Sequence, residues 1–185
     1  MIERSGTALR PLTRDDLAIV REWRNTPRIR SMMFTDHPIG PDEHAAWFAA
    51  ITRDPNREAL IYEDRGRPVG FVSIVGIDRR NGTCTWGIYV GADDAAPGSG
   101  KALAFCALEY IFERLELRKV YSEVFPFNQR ALALYRRFGF EQEGLLKEHV
   151  RRGDRYADVI VMSCFRDRWL ALKSRLEHET FSAPR

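Results

Sequence analysis

Polar or small residues alternate with apolar ones along Thr83–Val90, in the middle of the chain, and many of these residues are β-branched or aromatic. This alternation predicts a strand. A loop containing Pro97, Gly98 and Gly100 follows, and residues 101–115 then form an apolar run that is too long for a strand and predicts a helix. The centre of the chain is therefore predicted to be a strand, a glycine-containing loop and a helix.

The junction between this strand and this helix is suited to bind a phosphate group. Unpaired backbone N–H groups and the positive end of the helix dipole point at one place there. Gly98 and Gly100 have no side chain that would keep ligand oxygens away from the backbone. A tight turn before a buried helix would give the same pattern, so the loop by itself leaves both interpretations open.

The rest of the chain gives further strand and helix signals. Strands are predicted at residues 8–12, 58–64, 68–77, 119–125, 140–147 and 156–165, and helices after Thr13, at Pro41, at Asn128 and around Trp169, with Pro27 ending the first helix. Arg65-Gly66 and Asn81-Gly82 predict hairpin turns. Residues 28–39 follow no clear period, which predicts a loop or an irregular helix. These elements predict an α/β (α+β) fold, largely antiparallel, with one domain over residues 1–177 and a flexible tail at residues 178–185.

Composition excludes several classes of function. The net charge is only +3 and the basic residues are scattered, which argues against a nucleic-acid partner. No apolar segment is long enough to span a bilayer and the N-terminus lacks a signal-peptide core, so we expect a cytoplasmic protein without a membrane partner. Cys84, Cys106 and Cys164 are widely spaced in apolar surroundings, which predicts buried thiols rather than disulfides or a metal site.

A second motif, N-x-x-A-x-x-x-Y-x-x-x-G-F, starts at Asn128, includes Tyr135 and Gly139, and is followed by Glu143-Gly144. Together with the glycine loop it resembles the GNAT acetyltransferase superfamily, onto whose pattern nearly the whole chain can be laid. The resemblance implies a mixed, largely antiparallel sheet of about seven strands with flanking helices. It also implies acetyl-CoA as the acyl donor, transfer through a ternary complex, and no metal.

The resemblance assigns the cofactor to the strand, loop and helix at the centre of the chain. The implied cofactor-binding residues are Tyr89, Val90, Gly98, Ser99, Gly100, Lys101, Ala102 and Asn128. Backbone N–H groups near Tyr89 and Val90 would stabilise the oxyanion, and Asn128 would contact the pantetheine arm. Ala95 departs from the family, which often has Gln or Arg there, so we expect the backbone to do most of the phosphate binding, with added charge from Lys101.

Two residues are candidates for proton transfer. Tyr135 is the candidate acid, because a phenol with an ordinary pKa of about 10 is protonated at neutral pH and matches an alkyl thiolate. The alternative is a core tyrosine on an amphipathic helix. Glu123 is the candidate base, since a carboxylate between Tyr121 and Phe125 on one face of an apolar strand needs a partner or a task. A solvated edge position is the alternative.

The acceptor is indicated by two further segments. Residues 152–159, RGDRYADV, resemble the ribosomal-protein and spermidine acetyltransferase branch, whereas residues 22–25, 33–37 and 44–48 resemble the sugar acetyltransferases of pseudaminic acid synthesis for flagellin glycosylation. Those enzymes acetylate the 4-amino group of a UDP-linked dideoxy amino sugar. The substrate-binding residues that this resemblance implies are Arg24, Asn25, Met33, Phe34, Thr35, His37, His44, Trp47 and Tyr89.

A nucleotide sugar needs cations for its diphosphate and flat surfaces for its rings. Arg24, Arg28 and Arg30 would supply the cations and Phe34, Trp47 and Tyr89 the surfaces. Each of these residues also has an ordinary interpretation as a solvated helix end, a core aromatic or a surface side chain.

Two other functions remain open from the sequence. One is acetylation of a protein N-terminus or a polyamine, although the basic segment 21–30 favours an anionic acceptor. The other is a non-catalytic CoA-binding module, against which the presence of both Glu123 and Tyr135 argues. The sequence leaves the oligomeric state open, a homodimer included.

Overall fold

Across the residues that the computed structural model describes, 2–4 and 6–182, eight strands form one sheet. The strands are β1 (Ile2–Arg4), β2 (Thr7–Pro11), β3 (Arg57–Asp64), β4 (Arg67–Asp78), β5 (Thr83–Val90), β6 (Lys119–Val124), β7 (Glu141–Arg152) and β8 (Arg155–Phe165). The helices are α1 (Leu17–Asn25), α2 (Pro27–Arg30), α3 (Pro41–Ile51), α4 (Ser99–Glu109), α5 (Gln129–Arg137) and α6 (Arg166–Phe181). The predicted fold class is confirmed, with one strand more than predicted because β1 pairs with β2.

The strands lie in the order β1-β2-β3-β4-β5-β6-β8-β7, and neighbours are antiparallel except for β5 and β6. β5 and β6 run parallel and pair over three residues only, the last pair being Thr85 and Tyr121. Their outer neighbours continue further, since β4 pairs with β5 as far as Val90 and β8 pairs with β6 as far as Val124. The two central strands therefore separate beyond Thr85 and Tyr121, and the sheet opens there.

Helices cover both faces of the sheet. α4, α5 and α6 share one hydrophobic core with Cys84, Trp86 and Val120. α1, α2 and α3 pack on the other face, in a second cluster that contains Phe71 and the partly buried Tyr89. Successive residues of β5 thus point to opposite faces, as the alternation in the sequence predicts.

α4 is apolar on all sides because it lies inside the molecule rather than on its surface. Every side chain from residue 102 to residue 108 is at most 1% exposed, which is the pattern of a helix enclosed by other elements. The cysteines Cys84, Cys106 and Cys164 are buried, as predicted. Burial raises the pKa of the Cys84 and Cys164 thiols to about 12, because a thiolate loses its hydration there.

Two helix boundaries differ from the prediction. Pro27 does not only follow α1 but opens α2, where its missing N–H leaves no hydrogen bond unmade. α6 continues to Phe181, whose ring meets that of Phe105 edge-on at 5.4 Å. Residues 178–181 are therefore helical instead of part of the predicted tail, and residues 183–185 lie outside the described residues. Within the described chain, no helix combines the length and the apolar character needed to cross a bilayer.

Candidate active site

The opening between β5 and β6 is flanked by the N-termini of two helices. β5 leads through a loop to α4, whose N-cap is Gly98, and β6 leads to α5, whose N-cap is Asn128. Asn128 caps its helix by accepting a hydrogen bond from the Ala131 N–H at 3.2 Å. α4 has no side-chain cap. Its first turn therefore offers backbone donors to a ligand.

The glycine loop has the backbone geometry that the sequence predicts for phosphate binding. Gly98 has a φ of 92°, in the left-handed region that favours glycine. The N–H groups of Lys101 and Ala102 both donate to the Gly98 carbonyl, at 2.9 and 3.1 Å. Among the described residues, the N–H groups of Gly98 and Gly100 have no backbone acceptor. These donors fit a phosphate, and we name Gly98 and Gly100 as the residues that would hold it.

Neighbouring side chains contribute less than the backbone to this loop. The Ser99 hydroxyl donates to the Ala96 carbonyl at 2.7 Å, and the Ala102 side chain is buried. Ala95 packs against the core. Lys101 is half-buried and has no ion-pair partner among the described residues, so its charge remains available.

The end of β5 is fixed from the opposite face of the sheet by two contacts. A Cβ added to Gly91 would lie 2.0 Å from the Trp23 ring, so only glycine fits there. Arg28 donates to the carbonyls of Val90 and Gly91, both at 2.9 Å, and to Asp93 at 2.8 Å. In this structure the guanidinium of Arg28 is occupied by the backbone after β5 and by Asp93, and its role towards a diphosphate stays a prediction.

Tyr135 lies at the point where β5 and β6 separate. Its hydroxyl is 3.3 Å from Ser122 Oγ, and Ser122 directly follows the last residue of β6 that pairs with β5. The Tyr135 ring is packed beside Trp86 and stacks on Phe140, at 5.5 and 5.0 Å between centroids. The side chain is 5% exposed, and burial raises the pKa of Tyr135, so the phenol stays protonated.

This burial agrees with the alternative interpretation of Tyr135 as a core tyrosine on an amphipathic helix. Two concave surfaces of about 400 and 270 Å³ lie elsewhere, beside the ends of β3 and β4 and against α3, and neither is lined by Tyr135 or Gly98. The Tyr135 hydroxyl lies beside Ser122, where the two central strands begin to separate.

Glu123 faces the other side of the sheet from Tyr135. Val120, Ser122 and Val124 are buried, whereas Glu123 is exposed, as the alternation along β6 predicts. Val161 of β8 is its neighbour on one side, and β5 has already moved away on the other. Among the described residues its carboxylate has no hydrogen-bond or ion-pair partner. Its exposure agrees with a solvated edge position, and its place beside the opening agrees with a base.

Residues 31–39, which follow α2 and precede α3, are held by side chains that bind their backbone. The Asn25 amide donates to the Ile39 carbonyl at 2.9 Å and accepts from the Ile39 N–H at 2.7 Å. Arg24 Nη2 donates to the Thr35 carbonyl at 2.8 Å. Both ends of the Asn25 amide are thus used to hold Ile39, and the substrate contact from Asn25 stays a prediction.

A row of aromatic rings lies on the same face. Trp47 packs on Phe71 at 6.0 Å and Phe71 on Tyr89 at 5.4 Å. His44 is buried against Trp47, stacked at 4.8 Å, and burial lowers the pKa of His44, which keeps it neutral. His44 is therefore covered instead of free to contact a sugar hydroxyl.

The other predicted acceptor residues lie nearer the surface. Phe34 is 40% exposed and meets Phe125 edge-on at 5.1 Å. Met33 packs against the second cluster. His37 is exposed and pairs with Glu43 at 3.0 Å.

Arg24 differs from the other predicted acceptor residues in having a buried nitrogen that could donate a further hydrogen bond. Its Nη1 is buried and has no hydrogen-bond partner among the described residues. Burial lowers the pKa of Arg24, while the neighbouring Tyr89 and Glu43 raise it and Arg30 lowers it. An arginine remains a cation in such surroundings. The site therefore contains a half-buried positive charge beside Tyr89.

Arg152, at the end of β7, opens the segment 152–159 that the sequence analysis singled out, but it was not among the predicted site residues. It donates to the carbonyls of Met33 and Ser31, 119 and 121 residues away along the chain. No periodicity in the sequence marks such a contact. Among the described residues, no group of three or more His, Cys, Asp or Glu side chains is placed to hold a metal ion.

Comparison with known proteins places these features in a family context. A family model described as an acetyltransferase (GNAT) domain matches residues 7–141, which include the glycine loop and the motif from Asn128 to Phe140. The spermidine N(1)-acetyltransferase of Escherichia coli (strain K12) is 27% identical over 172 residues, 93% of this chain and 90% of that protein. The acetyltransferase PseH of Campylobacter jejuni is 29% identical over 130 residues, 70% of this chain and 79% of that protein.

A solved structure gives the corresponding match in three dimensions. The spermidine N-acetyltransferase of Vibrio cholerae in complex with CoA and spermine superposes with a TM-score of 0.83 at 28% identity, over 90% of this chain and 99% of that one. Another structure of the Vibrio cholerae enzyme is described as dodecameric.

The contact between Gly91 and Trp23 gives a test of how the end of β5 is held. Gly91→Ala should lower the free energy of unfolding by about 1–3 kcal/mol, because the new methyl group overlaps a buried ring. Gly87→Ala, within β5 and four residues earlier, is the matched control, because an added Cβ there meets nothing within 4 Å. Urea denaturation of both variants measures the difference, and equal stability would contradict the contact.

Proposed function

The chain belongs to the GNAT acetyltransferase family and is an acetyl-CoA-dependent N-acetyltransferase, and on that premise we propose that its acceptor is a small amine that carries an anionic group. A nucleotide-linked amino sugar, acetylated at its 4-amino group as in UDP-4-amino-4,6-dideoxy-N-acetyl-altrosamine, fits this description. The acceptor would bind on the face of the sheet covered by α1, α2 and α3, next to Glu123 and Tyr89.

The observation that carries this proposal is the half-buried Arg24 with its unpartnered Nη1. A phosphate or carboxylate would complete the hydrogen bonding of that guanidinium, and charge-assisted bonds of this kind are among the strongest in proteins. Arg30 lies near enough to add to the positive potential. A polyamine would bring several ammonium groups towards this charge and be repelled.

The acceptor-side aromatic rings agree with a ligand that contains flat groups. Phe34 is exposed beside Phe125, and Tyr89 lies at the end of the row that starts at Trp47. A uracil or a pyranose ring would bury apolar area against such surfaces. The 29% identity to the acetyltransferase PseH over 130 residues agrees with the resemblance of residues 22–25, 33–37 and 44–48 to the sugar acetyltransferases.

Spermidine is the second candidate acceptor. The relatives named as spermidine acetyltransferases match 90–93% of this chain, more than the 70% matched by PseH. The unpartnered carboxylate of Glu123 would suit an ammonium group as well as it suits a base. A protein N-terminus is a less favoured form of the same alternative. The non-catalytic interpretation is set aside because the matched family consists of acetyltransferases.

The proposed mechanism assigns one proton transfer to each face of the sheet. Bound acetyl-CoA supplies the thioester. On the acceptor face, Glu123 takes the proton of the attacking amine, directly or through a water molecule, as the C–N bond forms. On the other face, Tyr135 donates its proton to the departing sulfur as the C–S bond breaks. Backbone N–H groups at the end of β5 would hold the oxyanion between them.

Tyr135→Phe tests the acid. We expect kcat to fall about 10²- to 10³-fold with acetyl-CoA affinity within about twofold, because only the proton donor is lost. Since burial raises the pKa of Tyr135, the wild-type kcat should not decline on the alkaline side below about pH 10. Tyr156→Phe, at a tyrosine that is 61% exposed, is the control. An unchanged kcat in Tyr135→Phe would end the assignment.

Glu123→Gln tests the base. At pH 7 the variant should lose about 10- to 100-fold in kcat/KM, and the loss should shrink at high pH, where more of the amine is already neutral. Glu141→Gln, at an exposed carboxylate on β7, serves as the control. A loss that is the same at every pH would contradict a role in deprotonation.

An acceptor panel tests the substrate class. UDP-4-amino sugars, spermidine and a peptide N-terminus are each assayed with acetyl-CoA by CoA release. We expect the UDP-linked amino sugar to give the highest kcat/KM. Arg24→Gln should lower that value by about 10- to 100-fold while leaving spermidine turnover unchanged or higher, because one cation is removed. Acetylation of spermidine and the peptide alone would reject an anionic acceptor.

A further inference from the structure

Arg152 ends β7 and reaches from the β7–β8 hairpin to the segment that follows α2. Its Nη1 donates to the Met33 carbonyl at 2.6 Å and its Nη2 to the Ser31 carbonyl at 2.9 Å. Its Nε lies 3.7 Å from Asp36. One guanidinium therefore engages three positions within residues 31–36, and its side chain is only 22% exposed.

The same guanidinium lies over an aromatic ring beside the candidate base. Its Cζ is 5.2 Å from the centroid of Phe125, which follows β6 two residues after Glu123. Phe34 follows the two residues whose carbonyls Arg152 binds and precedes Asp36. Its ring meets the Phe125 ring edge-on, with 5.1 Å between the centroids. Arg152 and Phe34 thus both pack on the Phe125 ring.

Residues 31–36 have few other means of keeping this position. They follow the short helix α2 and form turns and bends without a strand partner. The N–H groups of Ser31, Met32 and Met33 donate to the carbonyls of Pro27, Ile29 and Arg30, and the Thr35 carbonyl accepts from Arg24. The path of residues 34–36 beyond these turns therefore depends largely on side chains from α1 and from the β7–β8 hairpin.

We propose that Arg152 is a positioning residue for the acceptor. By holding the carbonyls of Ser31 and Met33 it fixes Phe34 against Phe125 and so forms the wall of the acceptor site next to Glu123. Among the described residues, no hydrogen bond or ion pair joins Arg152 to the glycine loop or to α4, which would hold the cofactor. The inference rests on the placement of the acceptor under the proposed function, but not on which acceptor is used.

Substitution of Arg152 would have different effects if the residue only stabilised the fold and if it positioned the acceptor. Loss of a purely structural contact lowers the melting temperature and either raises the KM values of both substrates or changes neither. Loss of the acceptor wall raises the KM for the acceptor and leaves the KM for acetyl-CoA as it was. The two roles are therefore separated by comparing the two KM values.

The experiment uses Arg152→Gln and Arg152→Lys in the full chain. Arg151→Gln is the matched control, since Arg151 is exposed and donates only to the nearby Gly153 carbonyl. The acceptor is the UDP-4-amino sugar or spermidine, whichever the wild type acetylates. Arg152→Gln should raise the KM for this acceptor about tenfold or more, which corresponds to the loss of one charge-assisted hydrogen bond. The acetyl-CoA KM should stay within about twofold.

Arg152→Lys separates charge from geometry. A lysine keeps the charge near Asp36 but lacks the planar fork that reaches two carbonyls at once, so its acceptor KM should lie close to that of Arg152→Gln. A lysine variant with wild-type kinetics would overturn the proposal, because charge alone would then be sufficient. This variant also decides the question if Arg152→Gln does not fold.

Limited proteolysis gives a readout that needs no acceptor. Release of residues 31–36 should expose the bond after Arg30, so trypsin should cut there about ten times faster in Arg152→Gln than in Arg151→Gln. Equal cleavage rates, or equal changes in both KM values, would overturn the proposal. If the wild type acetylates neither probe, the proposed acceptor class fails, while the cleavage rates still decide the role of Arg152.

Discussion

The parting of β5 from β6 is the constraint on which the rest of the site depends. Parallel neighbours normally pair along their length, but these two pair over three residues and then follow different partners. The backbone groups on their facing edges are thereby left without a strand partner, and buried backbone groups need one. An extended ligand between the strands would meet that need, and the N-termini of α4 and α5 and the candidate acid lie at this opening.

The sheet also divides the site into two sides that are built differently. On the side of α4 and α5, the parts are regular: a left-handed Gly98, an uncapped helix and a buried Tyr135. On the other side, the wall is an irregular segment tied down by arginine and asparagine side chains. Regular elements suit a donor molecule common to a whole family, whereas a segment held by a few side chains can change with the acceptor.

The sequence predicts the regular side well and the irregular side poorly, for a physical reason. The strand at Thr83–Val90 has the predicted bounds, and the helix after Asn128 has the predicted cap and ends before Gly139, because periodicity and caps are local signals. The contacts of Arg28 and Arg152 span 62 to 121 residues and end on backbone carbonyls. Any residue supplies a carbonyl, so nothing in the sequence reveals the partner. The burial of Tyr135 likewise depends on Trp86 and Phe140, which only the fold brings together.

The covering of the cysteines has a practical consequence for studying this enzyme. Cys84, Cys106 and Cys164 are the three thiols of the chain, and all are enclosed by the core, two of them with a thiol pKa of about 12. Disulfide reagents react with exposed thiolates. Such a reagent would therefore react with the CoA thiol released at each turnover and hardly at all with the protein. Continuous colorimetric assays of this enzyme thus require no cysteine-free variant.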